Sequence, residues 1–525
     1  MHLRKYKAFI GRQWKGILLV FWMAGFARAQ QSLVLTLDES LAIALDKSFR
    51  IQTLRQSMIT AERNLWAARA GYRTSITTTF SAPIYDEGFK LIDVVEGNPV
   101  AKQFGSYQVS GQLDLKQPMP WIPFGGADMT FRSQAYRLNS WTPNRLDPNV
   151  QDKSTKFFTY LGLIVNKPLF TINDLALGLE RAKLAYERQS RVFKRQELDL
   201  VYSVTDAFYR LYRFTQTVDI NRQKVSMQQD IYNTTFNKFK AGLIAEVDAM
   251  QAEVALLQYR NDLKNSETML AEQESMFKQT IGIPEETRVR VITELELKQV
   301  NVPLDKAQLM AMQNRSELVE KQISIEEQKI IIKQVDARVA IEGKLSGYYN
   351  FSGFSDPTFV YGTDSEALFR SSWEKLQKTP NRGFTFSLQV PLFDWGRNRA
   401  EVDAQKAILK STELDLSDTK VTVIREAEDA VRSVANAWDR VQMLTKSQEV
   451  ATKSLDINLK RFANGDITST DLARATDQTN QAKINYLQAY VDYKLSLGEL
   501  KRKTLYDFEK DIPLVEKQTS DVKFK

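Results

Sequence analysis

Lys238-Phe239-Lys240-Ala241-Gly242-Leu243-Ile244-Ala245-Glu246-Val247-Asp248 and Arg461-Phe462-Ala463-Asn464-Gly465-Asp466-Ile467-Thr468-Ser469-Thr470-Asp471 lie a constant 223 positions apart. In each, a basic residue and a Phe precede a glycine, and an Asp follows six residues beyond it. A reversal between antiparallel helices needs a positive-φ residue at the helix end, which glycine supplies without a Cβ penalty. Both segments read as the tips of helix hairpins, and the constant offset leaves no net insertion between the two copies.

The correspondence extends outward. Pro168-Leu169-Phe170 recurs as Pro391-Leu392-Phe393 at the same offset, while Leu37-Asp38, Ala44 and Ala70 recur as Leu304-Asp305, Ala311 and Ala337 at an offset of 267. The register change of 44 falls between helices: 98 residues separate Ala70 from Pro168, against 54 between Ala337 and Pro391. Two halves with one helical scaffold and different strand-end segments are expected. The organisation reads as a signal peptide 1–29, a first repeat 30–283, a linker 284–303, a second repeat 304–505 and a tail 506–525.

Proline placement gives the element lengths. Eight of the fourteen prolines lie from Pro83 to Pro168, and none occurs in 30–82, 169–283, 304–356 or 392–512. Proline-free stretches rich in Ala, Glu, Gln, Lys, Arg and Leu read as long helices. The segments before the tips would run roughly 100 Å each at 1.5 Å per residue. Val201, Val204, Phe208 and Leu211, then Ile424, Ala427, Val431, Val434, Trp438 and Val441, recur at alternating threes and fours; Leu256, Leu263, Leu270 and Phe277 recur at sevens. That spacing is the seam of helices packed side by side in coiled-coil fashion, with a stand-alone fibrous coiled coil as the plain alternative.

Other segments alternate with period two. Gly383 to Pro391 places Phe384, Phe386, Leu388 and Val390 on one face and Thr385, Ser387 and Gln389 on the other; 345–352, 107–116 and 159–168 also read as strands. Such strands suit a transmembrane β-barrel wall or an ordinary half-buried sheet. Pro83 to Lys156 reads either as extra strands or as an elaborated surface loop.

Composition narrows the chemistry. The chain has 525 residues, 72 Lys and Arg, 64 Asp and Glu, no Cys, and one His, at position 2. Arg4, Lys5, Lys7, Arg12 and Lys15 precede the apolar run 17–26 and Ala27-Arg28-Ala29, the pattern of a secretory signal. Cleavage after Ala29 would lower the formal charge from +8 to +2, removing the electrostatic footprint of a nucleic-acid binder. It would also remove His2, so imidazole bases, thiolate nucleophiles, disulfides and His/Cys zinc sites are excluded from the mature chain. No paired carboxylates stand in a pocket-like context, so no catalytic residue, metal or cofactor is expected.

On the two tips, the Pro-Leu-Phe joints and the openings L-D-E-S-L-A-I-A-L and L-D-K-A-Q-L-M-A-M, the sequence resembles the TolC-like outer-membrane efflux proteins over nearly the whole mature chain. The resemblance implies a mainly α fold with membrane β: a homotrimer, each protomer giving four strands to one outer-membrane barrel continued by a periplasmic helical barrel. It implies a passive exit duct for multidrug efflux or type I secretion. The implied partners are a periplasmic adaptor (membrane fusion) protein and an inner-membrane transporter of the RND or ABC class. An exported structural or adhesive coiled coil is the alternative.

By the same resemblance the tips are the periplasmic gate and the adaptor-docking surface, which Lys238, Phe239, Gly242, Leu243, Ile244, Arg461, Phe462, Gly465 and Asp466 would form. Asp248 and Asp471 would approach the pore axis, where three copies of each make a cation-favouring ring; alternatively each carboxylate caps its return helix. Phe462 and Ile467 stand where relatives carry a polar latch, and Arg474 where they carry a second acid. Closure is therefore expected from apolar packing plus an Asp471 and Arg474 charge pattern. Trp395, beside a strand-helix joint, is a candidate for the aromatic belt.

Overall fold

The computed structural model describes residues 33–92, 98–123, 125–144, 146–147, 149–293, 297–337, 341–356, 364–376 and 380–514. The expected signal peptide lies outside them. The helices are α1 Leu37–Lys47, α2 Phe49–Ala70, α3 Asp174–Lys240, α4 Glu246–Ile281, α5 Leu304–Asn314, α6 Ser316–Asp336, α7 Ser365–Leu376, α8 Arg397–Asn464 and α9 Ser469–Thr504. Their lengths run 11, 22, 67 and 36 residues from α1 to α4, and 11, 21, 68 and 36 across α5, α6, α8 and α9. No described helix is long and apolar enough to cross a membrane.

The described residues form two compact units, one lying within 1–57, 190–319 and 417–525, the other within 58–189 and 320–416. In the first, the seams read from the sequence become the core: Val204, Phe208, Leu211, Phe277, Ile281 and Tyr490 are buried in one cluster. Phe208 and Phe277 meet edge to face at 6.3 Å. Each such side chain contributes about 1.5–3 kcal/mol on burial. A second cluster joins Val434 and Val441 of α8 to Tyr493 and Leu497 of α9. Two short strands, β1 Leu33–Leu35 and β6 Val289–Val291, pair in parallel there. Gly282 closes α4 at φ +77°, and a Cβ at that position would stand 2.6 Å from the Lys47 carbonyl oxygen.

The second unit holds one antiparallel sheet in the order β2-β3-β4-β5-β7-β8. Its strands are β2 Ser75–Ile92, β3 Val100–Pro118, β4 Asp128–Pro143, β5 Gln151–Leu169, β7 Glu342–Phe354 and β8 Pro380–Gln389. A last pair in the first unit, β9 Tyr506–Asp507 and β10 Ile512–Pro513, lies beyond α9. The resemblance implied four sheet strands; the described sheet has six. The difference lies in the first half, where the segment 83–156 continues through β2 and β3 and returns after Pro118 as β4 and β5.

Register gives the sheet two unlike faces. Ile76, Leu115, Phe131, Leu163 and Tyr349 stand side by side on one face, in a row that ends on β8 with Arg382; the adjacent row on the other is Thr77, Asp114, Arg132, Gly162, Asn350 and Asn381. Arg132 donates to both Asp114 oxygens at 2.8 and 3.1 Å. Next on the polar face come Thr79, Gln112, Gln134, Tyr160 and Ser352. Every strand has at least 10 residues, about the 9–11 that a tilted strand needs to cross a bilayer.

Helix α7 was not read from the sequence. It packs on the apolar face, where Thr159 and Ser372 hydroxyls meet at 2.8 Å, Phe157 and Phe369 stack edge to face at 5.4 Å, and the Ser372 hydroxyl donates to the Gly353 carbonyl. A Cβ at Gly353 would come within 1.9 Å of the Ser372 carbonyl oxygen. Gly353→Ala is therefore expected to lift α7 off the sheet, opening Arg370 and Lys375 to trypsin in folded protein while wild type resists. Equal digestion of the two would contradict this packing.

Candidate functional site

Both tips close with the same backbone device. At the first, Gly242 (φ +72°) donates its N–H to the Phe239 carbonyl at 2.8 Å, and Leu243 donates to Lys238 at 2.9 Å. At the second, Gly465 (φ +87°) donates to Phe462 at 3.1 Å and Asp466 to Arg461 at 2.9 Å. These paired bonds satisfy carbonyls that the last helical turn leaves free. A Cβ at either glycine would meet nothing within 4 Å, so the backbone angle alone requires glycine here.

The return helices differ. Helix α9 begins with a capping box: the Asp471 N–H donates to the Thr468 hydroxyl at 3.1 Å, and the Asp471 carboxylate accepts from the Thr468 hydroxyl at 2.8 Å and its N–H at 3.4 Å. These bonds to Thr468, the hydroxyl first, hold the exposed Asp471 carboxyl below its ordinary range, with smaller help from Arg474 and Arg461. At the position equivalent to Thr468, the first tip has Ala245, which makes no side-chain cap to α4. Among the described residues the half-buried Asp248 carboxylate has no hydrogen bond or ion pair. The capping alternative therefore describes Asp471 and not Asp248.

A cleft of about 300 Å³ gathers residues of both tips. Lys238, Ile244 and Asp248 line it from the first; Phe462, Gly465, Asp466, Ile467 and Asp471 line it from the second. Gly242, Leu243, Phe239, Arg461 and Arg474 do not line it, and Leu243 is 73% exposed. The Lys238 ammonium lies 5.1 Å from the Phe462 ring centroid, a contact between the two hairpins. Phe462 and Ile467 pack against Ile231, Leu455, Leu472 and Ala475. Arg474 is exposed, and among the described residues it forms no direct ion pair with Asp471.

One cluster near the tips was not found in the sequence. The nearly buried Lys224 ammonium of α3 pairs with Asp477 of α9 at 2.8 Å and Asp262 of α4 at 3.6 Å, and lies 3.6 Å from the Tyr259 ring centroid. Burial, with Asp477 next, drives the Tyr259 hydroxyl pKa strongly upward. The cluster ties three helices together through one cation. No sequence period marks it, because it depends on side chains from three separated stretches. Among the described residues no group of acidic or His side chains could hold a metal ion.

A profile of the family described as "Outer membrane efflux protein" matches residues 139–282 and 368–503. The chain belongs to that family. Its fold is similar to the Campylobacter jejuni CmeC outer membrane channel, with a TM-score of 0.66 at 11% identity over 91% of this chain and 87% of that one. A membrane protein from Pseudomonas aeruginosa gives 0.63 at 15% identity over 89% and 90%. Among curated proteins, Nodulation protein T of Rhizobium leguminosarum bv. viciae is 23% identical over 294 residues, 55% of this chain and 57% of that one. The chain thus spans just over half the length of that relative. In this member of the outer membrane efflux family, the two tips share their backbone turn and differ in their caps.

Ala245→Thr should supply the missing cap and engage Asp248, slowing amide exchange in the first turn of α4 about fivefold, the factor corresponding to about 1 kcal/mol. No slowing would show that Asp248 cannot reach the cap. The depressed Asp471 pKa makes its stabilisation complete above the ordinary Asp pKa and lost as pH falls through the lower folded value. Intrinsic-rate-corrected exchange in the first turn of α9 should therefore accelerate below about pH 4, and Asp471→Asn should remove that step.

Proposed function

We propose that three copies of this chain form a passive exit duct in the outer membrane, extending into the periplasm. The duct would be joined there by a periplasmic adaptor protein and an inner-membrane transporter, and the chain itself would perform no covalent chemistry. The observation that carries this reading is the two-faced sheet, apolar on one side and hydrogen-bonding on the other, in strands long enough to cross a bilayer. An exported coiled coil has no use for such a sheet.

The helices supply the rest of the support. Val247, Met250, Val254 and Leu257 form an exposed apolar stripe on α4, and Met443, Val450 and Ile457 recur at sevens, exposed, on α8. Heptad stripes left open in one protomer suit neighbouring helices of further copies. The recurrence of helix lengths supports two copies of one structural unit, bounded as the sequence reading has it. The tips, with Leu243 outermost and the apolar latch of Phe462 and Ile467 inside, are the proposed docking surface and gate. Three Asp248 carboxylates, free of capping bonds, are suited to a cation-favouring ring, with the three Asp471 carboxylates beside them.

Fractionation tests the reading: the protein should be recovered from outer membranes as trimers that resist dissociation until heated. Recovery as a soluble periplasmic protein would overturn it. For the gate, reconstituted Arg474→Asp should become more cation-selective and more readily blocked by divalent cations; unchanged selectivity and block would remove Arg474 from it.

A further inference from the structure

Helix α7 marks the place where the apolar face of the sheet stops being apolar. Strand β5 runs towards α3, so Leu169 lies at its helix-side end and Thr155 near its far end. On this face of β5, Val165, Leu163 and Leu161 give way to Thr159, Phe157 and Thr155; on β4, Met129 and Phe131 lead on to Arg137 and Asn139. The helix covers that polar continuation. Thr155, Thr159 and Ser355 are buried beneath or beside it. The Ser355 hydroxyl accepts the Phe157 N–H at 2.8 Å, and the Arg137 guanidinium donates to the Ser365 hydroxyl at the start of α7 at 2.7 Å.

The rest of the α7 surface is divided. Leu368, Ser372 and Leu376 are buried towards the sheet, while Phe369 and Trp373, one turn apart, stack at 6.2 Å and stay 42% exposed each. Ser371 and Lys375 fall on the opposite flank from Trp373, because each is two positions from it and successive helical residues turn by about 100°. Lys375 pairs at 2.6 Å with Asp356, which lies beyond the far end of β7. The charged flank is thus turned towards the far end of the strands, and the aromatic flank back towards the apolar rows. Arg370 and Glu374 are exposed between the two flanks, on the side away from the sheet.

We infer that α7 lies in the plane of a lipid leaflet at the far end of the sheet, its Phe369 and Trp373 flank in contact with lipid at the boundary between acyl chains and headgroups. The inference rests on the membrane-spanning sheet of the proposed duct and adds what fixes its depth. Indole and phenyl rings favour that boundary, where one side is apolar and the other wet. Sinking the helix would carry Arg370 and Glu374 among acyl chains, and lifting it would expose both rings to water, so a helix divided in this way resists displacement in either direction. Strands β5 and β7 beneath it are inner strands of the sheet, so the aromatic flank faces the surroundings of the apolar face rather than a sheet edge.

The absence of cysteine allows single labels. A nitroxide at Phe369→Cys, Trp373→Cys or Ser371→Cys, in full-length protein reconstituted into phosphatidylcholine vesicles, reports collisions with oxygen, which concentrates among acyl chains, and with a water-soluble nickel chelate. The oxygen-to-nickel ratio should be several-fold higher at the two aromatic positions than at Ser371. Phe131→Cys, on the apolar rows, monitors the sheet itself. A high ratio there with low ratios at Phe369 and Trp373 would overturn the inference and leave the membrane sheet standing, whereas a low ratio at Phe131 would sink both. Equally high ratios on both flanks would put α7 inside the hydrocarbon, and labels shielded from both colliders would show a protein cover; either result rejects the boundary placement. Without labels, the emission difference between wild type and Trp373→Phe should be quenched by brominated phosphatidylcholine, and an unquenched difference would contradict the contact.

Discussion

A peptide group with no water beside it needs another hydrogen-bonding partner, and in the proposed duct that requirement falls hardest on the edges of the sheet. Helices satisfy their own backbone bonds, so α3 and α8 can run for 67 and 68 residues without external partners. A six-stranded sheet cannot do the same. Its inner strands are paired on both sides, while β2 and β8 each keep one free row of donors and acceptors. The apolar face that suits lipid is the same feature that makes open edges costly. In the proposed duct, the need for closure makes a second and third copy part of the fold.

At the other functional region, a shared turn carries unlike chemistry. Positive φ at Gly242 and Gly465 gives both tips the same pair of carbonyl-satisfying bonds. Thr468 commits Asp471 to a capping box, whereas Ala245 leaves Asp248 without one. A carboxylate already bonded to its own helix is less available to solvent ions than one that is not. The two tips therefore offer the proposed gate two acids in different states of engagement. The Lys238 contact with Phe462 and the Lys224 cluster hold the hairpins in register around them.

Much of this was legible from pattern. Glycine positions marked the tips, proline-free stretches marked the long helices, and the recurring seams became the core around Phe208, Phe277, Val434 and Val441. The alternation in 107–116, 159–168, 345–352 and 383–391 located four sheet strands. The other two were left open between strand and loop because the six prolines from Pro83 to Pro143 resemble loop punctuation, although Pro83 sits at a register shift in β2 and Pro118 and Pro143 at strand ends. Helix α7 was hidden by its brevity. The difference between Asp248 and Asp471 lay in one neighbouring residue, Thr468 against Ala245, and needed the cap geometry to become visible.

The central claim is that copies of this chain enclose a water-filled passage that its tips hold shut. The most direct measurement is single-channel recording from purified full-length protein in a planar bilayer. Wild type should give small, brief, cation-favouring openings, and replacing the apolar latch by Phe462→Ser with Ile467→Asp should give long openings of at least several-fold higher conductance. Membrane-inserted protein that shows no unitary conductance in either form would contradict the account.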